Sequence, residues 1–146
     1  MNQRLGCIQP APRLVDFHLV EPTEILSAVE KNIDTLAQLV DRAGQLGCDA
    51  AVLPEDALGL EHWAGIHPEL RHTILPQAVE SMLARLGAAA AQHQMYLICC
   101  NDHIESGERY NTAFFLGRDG REIGRYHKIN MPYSELGART RGDAYP

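Results

Sequence analysis

Residues 47–56 read Gly47-Cys48-Asp49-Ala50-Ala51-Val52-Leu53-Pro54-Glu55-Asp56, and the fold class turns on this stretch. Asp49–Leu53 is a short apolar run stopped by Pro54, the pattern of a strand covered on both faces. Upstream, Ile25, Val29, Ile33, Leu36, Val40 and Ala43 recur at steps of three and four, which places one apolar stripe on an α-helix ending near Gly44 and Gly47. Further upstream, Arg4–Gln9 is an apolar run closed by Pro10 and Pro12, a first strand. Downstream, residues 58–75 carry mixed signals and read as loop with a short helical piece. Pro76 is expected to open a second helix, with Val79, Leu83, Leu86 and Ala90 facing inward. Met95–Cys100 is a third strand. Asn111–Leu116 and Glu122–Ile129 flank Gly117-Arg118-Asp119-Gly120, whose Asp-Gly pair signals a hairpin. The order β-α-β-α-β-β-β predicts an α/β fold: crossovers join the first three strands, and the last pair is antiparallel. Strands this apolar need helices on one face and a second cover on the other.

At 146 residues the chain has the length of one domain or a piece of a larger one. A charged fraction of 22% against 45% hydrophobic residues excludes wholesale disorder. The net charge of -6 argues against a protein that grips nucleic-acid phosphates. The acidity lies in residues 1–73, which hold five basic and eleven acidic residues; residues 74–146 hold eight of each. No apolar run is long enough to span a membrane, and the N-terminus lacks a secretory pattern, so a cytoplasmic protein is expected. Cys7, Cys48, Cys99 and Cys100 lie in or beside apolar segments, and reduced thiols are the expectation.

Glu55 follows a strand directly, and ligands of open α/β sheets bind beyond such strand ends. On spacing alone it is equally a solvated loop acid. Lys128 ends the last predicted strand within Tyr126-His127-Lys128-Ile129-Asn130, on the face shared with Tyr126. It is one of only two lysines, and it suits either an oxyanion-stabilising charge or an edge-strand gatekeeper. Glu135 follows in a turn-rich segment. Trp63 is left open between a pocket or interface residue and a loop anchor. His62, His67 and His72 do not share a helical face, and Asp102 and His103 beside Cys99 and Cys100 match no known zinc spacing, so no metal or other cofactor is expected.

Taken together, Leu53-Pro54-Glu55, Tyr110-Asn111-Thr112-Ala113, the Asp119-Gly120 turn, Tyr126-His127-Lys128 and Pro132-Tyr133-Ser134-Glu135 occur in an order that resembles the nitrilase superfamily, the carbon–nitrogen hydrolases. The resemblance runs along essentially the whole chain. It implies a four-layer α-β-β-α sandwich and a Glu–Lys–Cys triad. By motif position Glu55 is the general base, Lys128 stabilises the oxyanion, and Glu135 matches an additional glutamate near the reacting water. The roles suit the residue types: a carboxylate activates a thiol and returns its proton to the leaving amine, and a cation steadies the tetrahedral oxygen. A glutamate set among apolar residues is further expected to have a raised pKa.

The family's nucleophilic cysteine comes after the lysine, and here no cysteine follows Cys100. Residues 1–146 are therefore read as the N-terminal part of a single carbon–nitrogen hydrolase domain, truncated before the nucleophile strand and inactive alone. Cys99 and Cys100 precede the lysine and are read as strand residues. The expected substrate is a small amide or carbamoyl compound, less readily a nitrile. Pocket walls are expected from Ala57–Thr73 and Met131–Arg141, and the resemblance implies a homo-oligomer. The alternative is a non-catalytic half-domain acting as a binding or regulatory subunit of an intact relative.

Overall fold

The computed structural model describes residues 3–144. In chain order the elements are β1 (Leu5–Cys7), α1 (Pro22–Gln45), β2 (Ala50–Val52), α2 (Glu61–Ile66), α3 (Pro68–Gln92), β3 (Tyr96–Glu105), β4 (Glu108–Leu116) and β5 (Glu122–His127), with a 3-10 turn at Tyr133–Glu135. They form one five-stranded sheet in the order β1-β2-β3-β4-β5. β1, β2 and β3 run parallel through the two helical crossovers, and β3, β4 and β5 are antiparallel. This is the α/β class that the alternation of elements predicts.

Helix α1 begins at Pro22, where a missing N–H costs nothing in the first turn. Its buried positions include all six residues of the predicted stripe. Helix α3 begins at Pro68, not at Pro76, which lies inside it. An interior proline costs roughly 3 kcal/mol through the lost amide and a steric clash. The carbonyl of His72, four residues back, sits on an exposed residue that water can reach. Burial of Ile74, Leu75 and Val79 around the proline, each side chain contributing about 1.5–3 kcal/mol, outweighs that cost. Strand β3 also runs past its predicted end at Cys100, to Glu105. Ser106 and Gly107, at φ 52° and 84°, make a tight two-residue turn into β4, so two hairpins follow one another. Strand β5 stops at His127, short of the predicted Ile129.

Side chains on one face of the sheet, Ala51, Leu97, Cys99, Phe114 and Leu116, are fully or nearly fully buried with the inward stripes of α1 and α3. On the other face Leu5, Val52 and Tyr96 are exposed, with Ile98 and Phe115 half-buried beside them. The described residues thus supply one helical layer and one sheet layer, and the second cover that the apolar strands call for is not among them. Trp63 has no exposed surface, and its indole N–H donates to the Leu19 carbonyl at 2.9 Å. It is a loop anchor, not a pocket wall.

Candidate active site

The site is built where β2 and β5 end and where antiparallel β4 begins. Pro54 terminates β2, and the chain turns over β3: Leu53 N–H donates to the Ile98 carbonyl, Ala57 N–H to the Cys100 carbonyl, and Leu58 N–H to Asn101 Oδ1. Asp56 accepts from Leu60 and Glu61 N–H, which ties this turn to the start of α2. Buried Asn32 on α1 clamps the turn from the other side, donating to the carbonyls of Arg13 and Leu58. Glu55 is thereby held on a rigid bend.

Its Oε1 accepts from Asn111 Nδ2 of β4 at 2.6 Å and from Lys128 Nζ at 2.8 Å. Lys128 is the first residue after β5, and its own N–H donates to the Asn111 carbonyl. A second Nζ–H donates to Glu135 Oε1 at 2.9 Å. Glu135 sits on the 3-10 turn and is 8% exposed. The structure therefore brings together all three residues singled out in the sequence, Glu55, Lys128 and Glu135, around one ammonium group.

The charges are coupled. The hydrogen bond from Lys128 holds the Glu55 carboxyl below its usual range; burial pushes the other way and loses, because Asn111 and the charges of Lys128 and Arg139 add to the lowering. This corrects the expectation of a raised pKa: the Glu55 side chain is 54% exposed, so burial is the weaker influence. Burial also pulls Lys128 down, but its bonds to Glu55 and Glu135 outweigh it and hold the ammonium above the usual lysine range. Next to Glu55, Asp56 is pushed up to about 6, chiefly by burial.

Cys100 lies close by, its Sγ donating to Asn111 Oδ1 at 3.3 Å. Burial, reinforced by the charges of Glu55 and Asp102, pushes its thiol up to about 12, so it stays neutral at physiological pH. Cys99 is buried on the helical face, its thiol likewise pushed up to about 12 by burial. Of the histidines, His67 stacks on Trp63 and bonds the Phe17 carbonyl, and His62 meets the Phe17 ring edge-on. Among the described residues no group of three His, Cys, Asp or Glu side chains could hold a metal ion.

Behind the site stands a charge cluster that the sequence did not announce. Arg139 donates to Asp102 Oδ1 at 2.7 Å and to Glu61 Oε1 at 2.7 Å. Arg109 donates to the same aspartate. The only sequence signal is that eleven of the thirteen basic residues are arginines, which does not tell a buried guanidinium from a surface one. A cavity of about 380 Å³ opens beside Glu55, walled by Pro10, Leu14, Leu36, Pro54 and Ala57. Its walls draw on the segment after β1 and on α1, which the sequence reading left out. A second cavity of about 430 Å³ lies across Asp56 and Glu61 and takes Ser134, Ala138 and Arg139 from the segment after Lys128.

A family model described as carbon–nitrogen hydrolase matches residues 4–143, and the chain belongs to that family. Among solved structures it is similar to the amidase of Nesterenkonia sp. AN1. A form of that enzyme after Michael addition of acrylamide at its active-site cysteine superposes with a TM-score of 0.72 at 19% identity, covering 98% of this chain and 51% of that one. A variant described as an amidase from the nitrilase superfamily gives a TM-score of 0.73 at 19% identity, with 97% and 49% covered. The chain thus spans about half the length of these structures, and at this identity the likeness shows the fold alone. No curated protein matches the chain.

Proposed function

We propose that the complete protein hydrolyses a non-peptide carbon–nitrogen bond in a small amide or carbamoyl compound. The observation that carries this reading is the Glu55–Lys128–Glu135 constellation at the strand ends, in a chain of the carbon–nitrogen hydrolase family. In this reading the nucleophile is a cysteine thiol supplied beyond residue 146. Glu55, ionised and held below its usual range by Lys128, takes the thiol proton as the thiolate attacks the carbonyl carbon. The oxygen that becomes negative is stabilised by Lys128. The C–N bond then breaks, the amine leaves with the proton from Glu55, and a thioester remains. Water, deprotonated by Glu55, attacks the thioester; the acid is released and the thiol regains its proton. Glu135 keeps Lys128 in place beside the reacting water. The cavity beside Glu55 takes the acyl part of the substrate.

Residues 1–146 alone are then inactive, and the rest of the sandwich covers the open sheet face. Assembly as a homo-oligomer and a cytoplasmic location belong to the same reading; no helix among the described residues is long and apolar enough to cross a membrane. In the complete protein, Glu55→Gln and Lys128→Ala are expected to abolish ammonia release with the circular dichroism spectrum unchanged, and Cys100→Ala to retain it. Full activity in either of the first two variants refutes the assigned roles.

The exposed apolar sheet face also fits a second reading, a non-catalytic half-domain docked on an intact relative. The intact mass of the natural polypeptide separates the two. A mass near twice 16.2 kDa, with a downstream cysteine, supports the hydrolase. A mass of 16.2 kDa supports the subunit.

A further inference from the structure

Arg139 stands one step behind the Glu55–Lys128–Glu135 triangle and is firmly built into its surroundings. Its side chain is 5% exposed. Nε donates to Asp102 Oδ1 at 2.7 Å, and Nη2 donates to Asp102 Oδ2 at 3.0 Å and to Glu61 Oε1 at 2.7 Å. Asp102, on β3, is 1% exposed and is gripped in turn by Arg109 of β4, whose Nε donates to Oδ2 at 2.9 Å. Glu61 belongs to α2. The guanidinium is therefore fixed directly to two elements, β3 and α2, and through Asp102 it is tied to Arg109 of β4.

The remaining nitrogen, Nη1, faces Glu135 Oε2 at 3.7 Å. That oxygen is buried and has no hydrogen-bond partner, while Oε1 of the same carboxylate accepts from Lys128. At this separation no hydrogen bond forms, but in a low-dielectric pocket the attraction between the charges is strong. A carboxylate with one oxygen on Lys128 and the other facing an immobile cation has a single favourable orientation.

We propose that Arg139, immobilised by Asp102, is a positioning residue: it orients Glu135, and through Glu135 it keeps Lys128 bridged to Glu55. This rests on the hydrolase reading above. The groups that face Glu55 are Lys128 at the end of β5, Asn111 of β4, the neutral Cys100 thiol of β3 and the neighbouring Asp56. Glu135 faces Lys128 and Arg139. Arg139 also contributes at longer range to holding the Glu55 carboxyl down. Removing it raises the pH at which Glu55 gains a proton and becomes useless as a base.

The test uses the complete enzyme with an amide substrate. Arg139→Met is expected to lower kcat by about tenfold or more with KM changed by less than about threefold, because positioning in the transition state is lost rather than binding. The acid limb of kcat/KM should move to higher pH, and Arg139→Lys, which restores the charge but not the fork, should return the limb towards wild type. A folded Arg139→Met enzyme with kcat within about twofold of wild type and an unmoved acid limb overturns the proposal. A merely structural role lowers the melting temperature without moving the limb, and that result also overturns it. Should Arg139→Met fail to fold, Arg139→Lys decides: reduced kcat at unchanged KM supports the proposal, and wild-type kinetics overturn it. Glu55→Gln run alongside separates the two claims. Inactive Glu55→Gln with unaltered Arg139 variants refutes positioning alone, whereas active Glu55→Gln refutes the hydrolase reading and the positioning role with it.

Discussion

Glu55 and Asp56 are adjacent carboxylates that the fold drives in opposite directions. Lys128 and Asn111 reach Glu55 and hold it ionised, while Asp56 is turned into the protein, where burial lifts it to about 6. The second shift has a consequence for stability. Between the usual aspartate range and about pH 6, the folded state carries a proton on Asp56 that the unfolded chain has already lost. Stability therefore falls as pH rises through that window, by about 3 kcal/mol for a shift of this size. Asp56→Asn keeps an acceptor for the start of α2 and removes the titration. Urea midpoints measured from pH 4 to 7 should decline less steeply in the variant than in the wild type, and equal slopes would refute the assignment. At this scale the sequence showed where Glu55 and Lys128 lie, since a strand end is a local pattern. It did not show their charge states: Glu55 and Lys128 are 73 residues apart, and their contact exists only in the folded chain.

Among the elements, the β4–β5 hairpin shows what a local signal carries and what it omits. Asp119-Gly120 announces the turn, and Gly120 does adopt a left-handed φ of 77°. It is silent about the packing: the tip lies against α3 so closely that a Cβ on Gly120 would strike the Gly87 carbonyl, and one on Gly87 would strike that of Gly120. Gly107, at φ 84° in the β3–β4 turn, has open space around it. Gly107→Ala is expected to cost about 1 kcal/mol from backbone strain alone, and Gly120→Ala about 2 kcal/mol more because the helix must move. Equal losses in urea unfolding would show that the hairpin does not bear on α3. The start of α3 was illegible for a related reason. Pro76 looks like a helix opener, but burial of its neighbours carries the helix through it, and burial is settled only by packing against the sheet and α1.

For the molecule as a whole, the open sheet face is the dominant feature. Leu5, Val52 and Tyr96 are exposed at 78%, 38% and 43%, an apolar surface that water does not favour. Produced alone, residues 1–146 are expected to self-associate. Val52→Lys with Tyr96→Lys should shift the fragment towards a 16.2 kDa monomer in sedimentation. On the hydrolase reading, the same pair of changes should destabilise the complete protein, because the rest of the sandwich would cover this face. A fragment that is already monomeric at tens of micromolar, the range where exposed surface usually drives association, would refute this.

By itself the sequence determined the order of elements, the α/β class and the strand-end positions of Glu55 and Lys128. These follow from periodicity and chain-breaking residues, which act over a few neighbours. The tertiary structure alone decided that Glu55 titrates below its usual range, that Asp56 is not an ordinary acid, and that Arg139 and Asp102 stand behind Glu135. It also decided that the segment after β1 walls the cavity. Those are consequences of charge and desolvation acting across space, between residues that only the folded sheet makes neighbours.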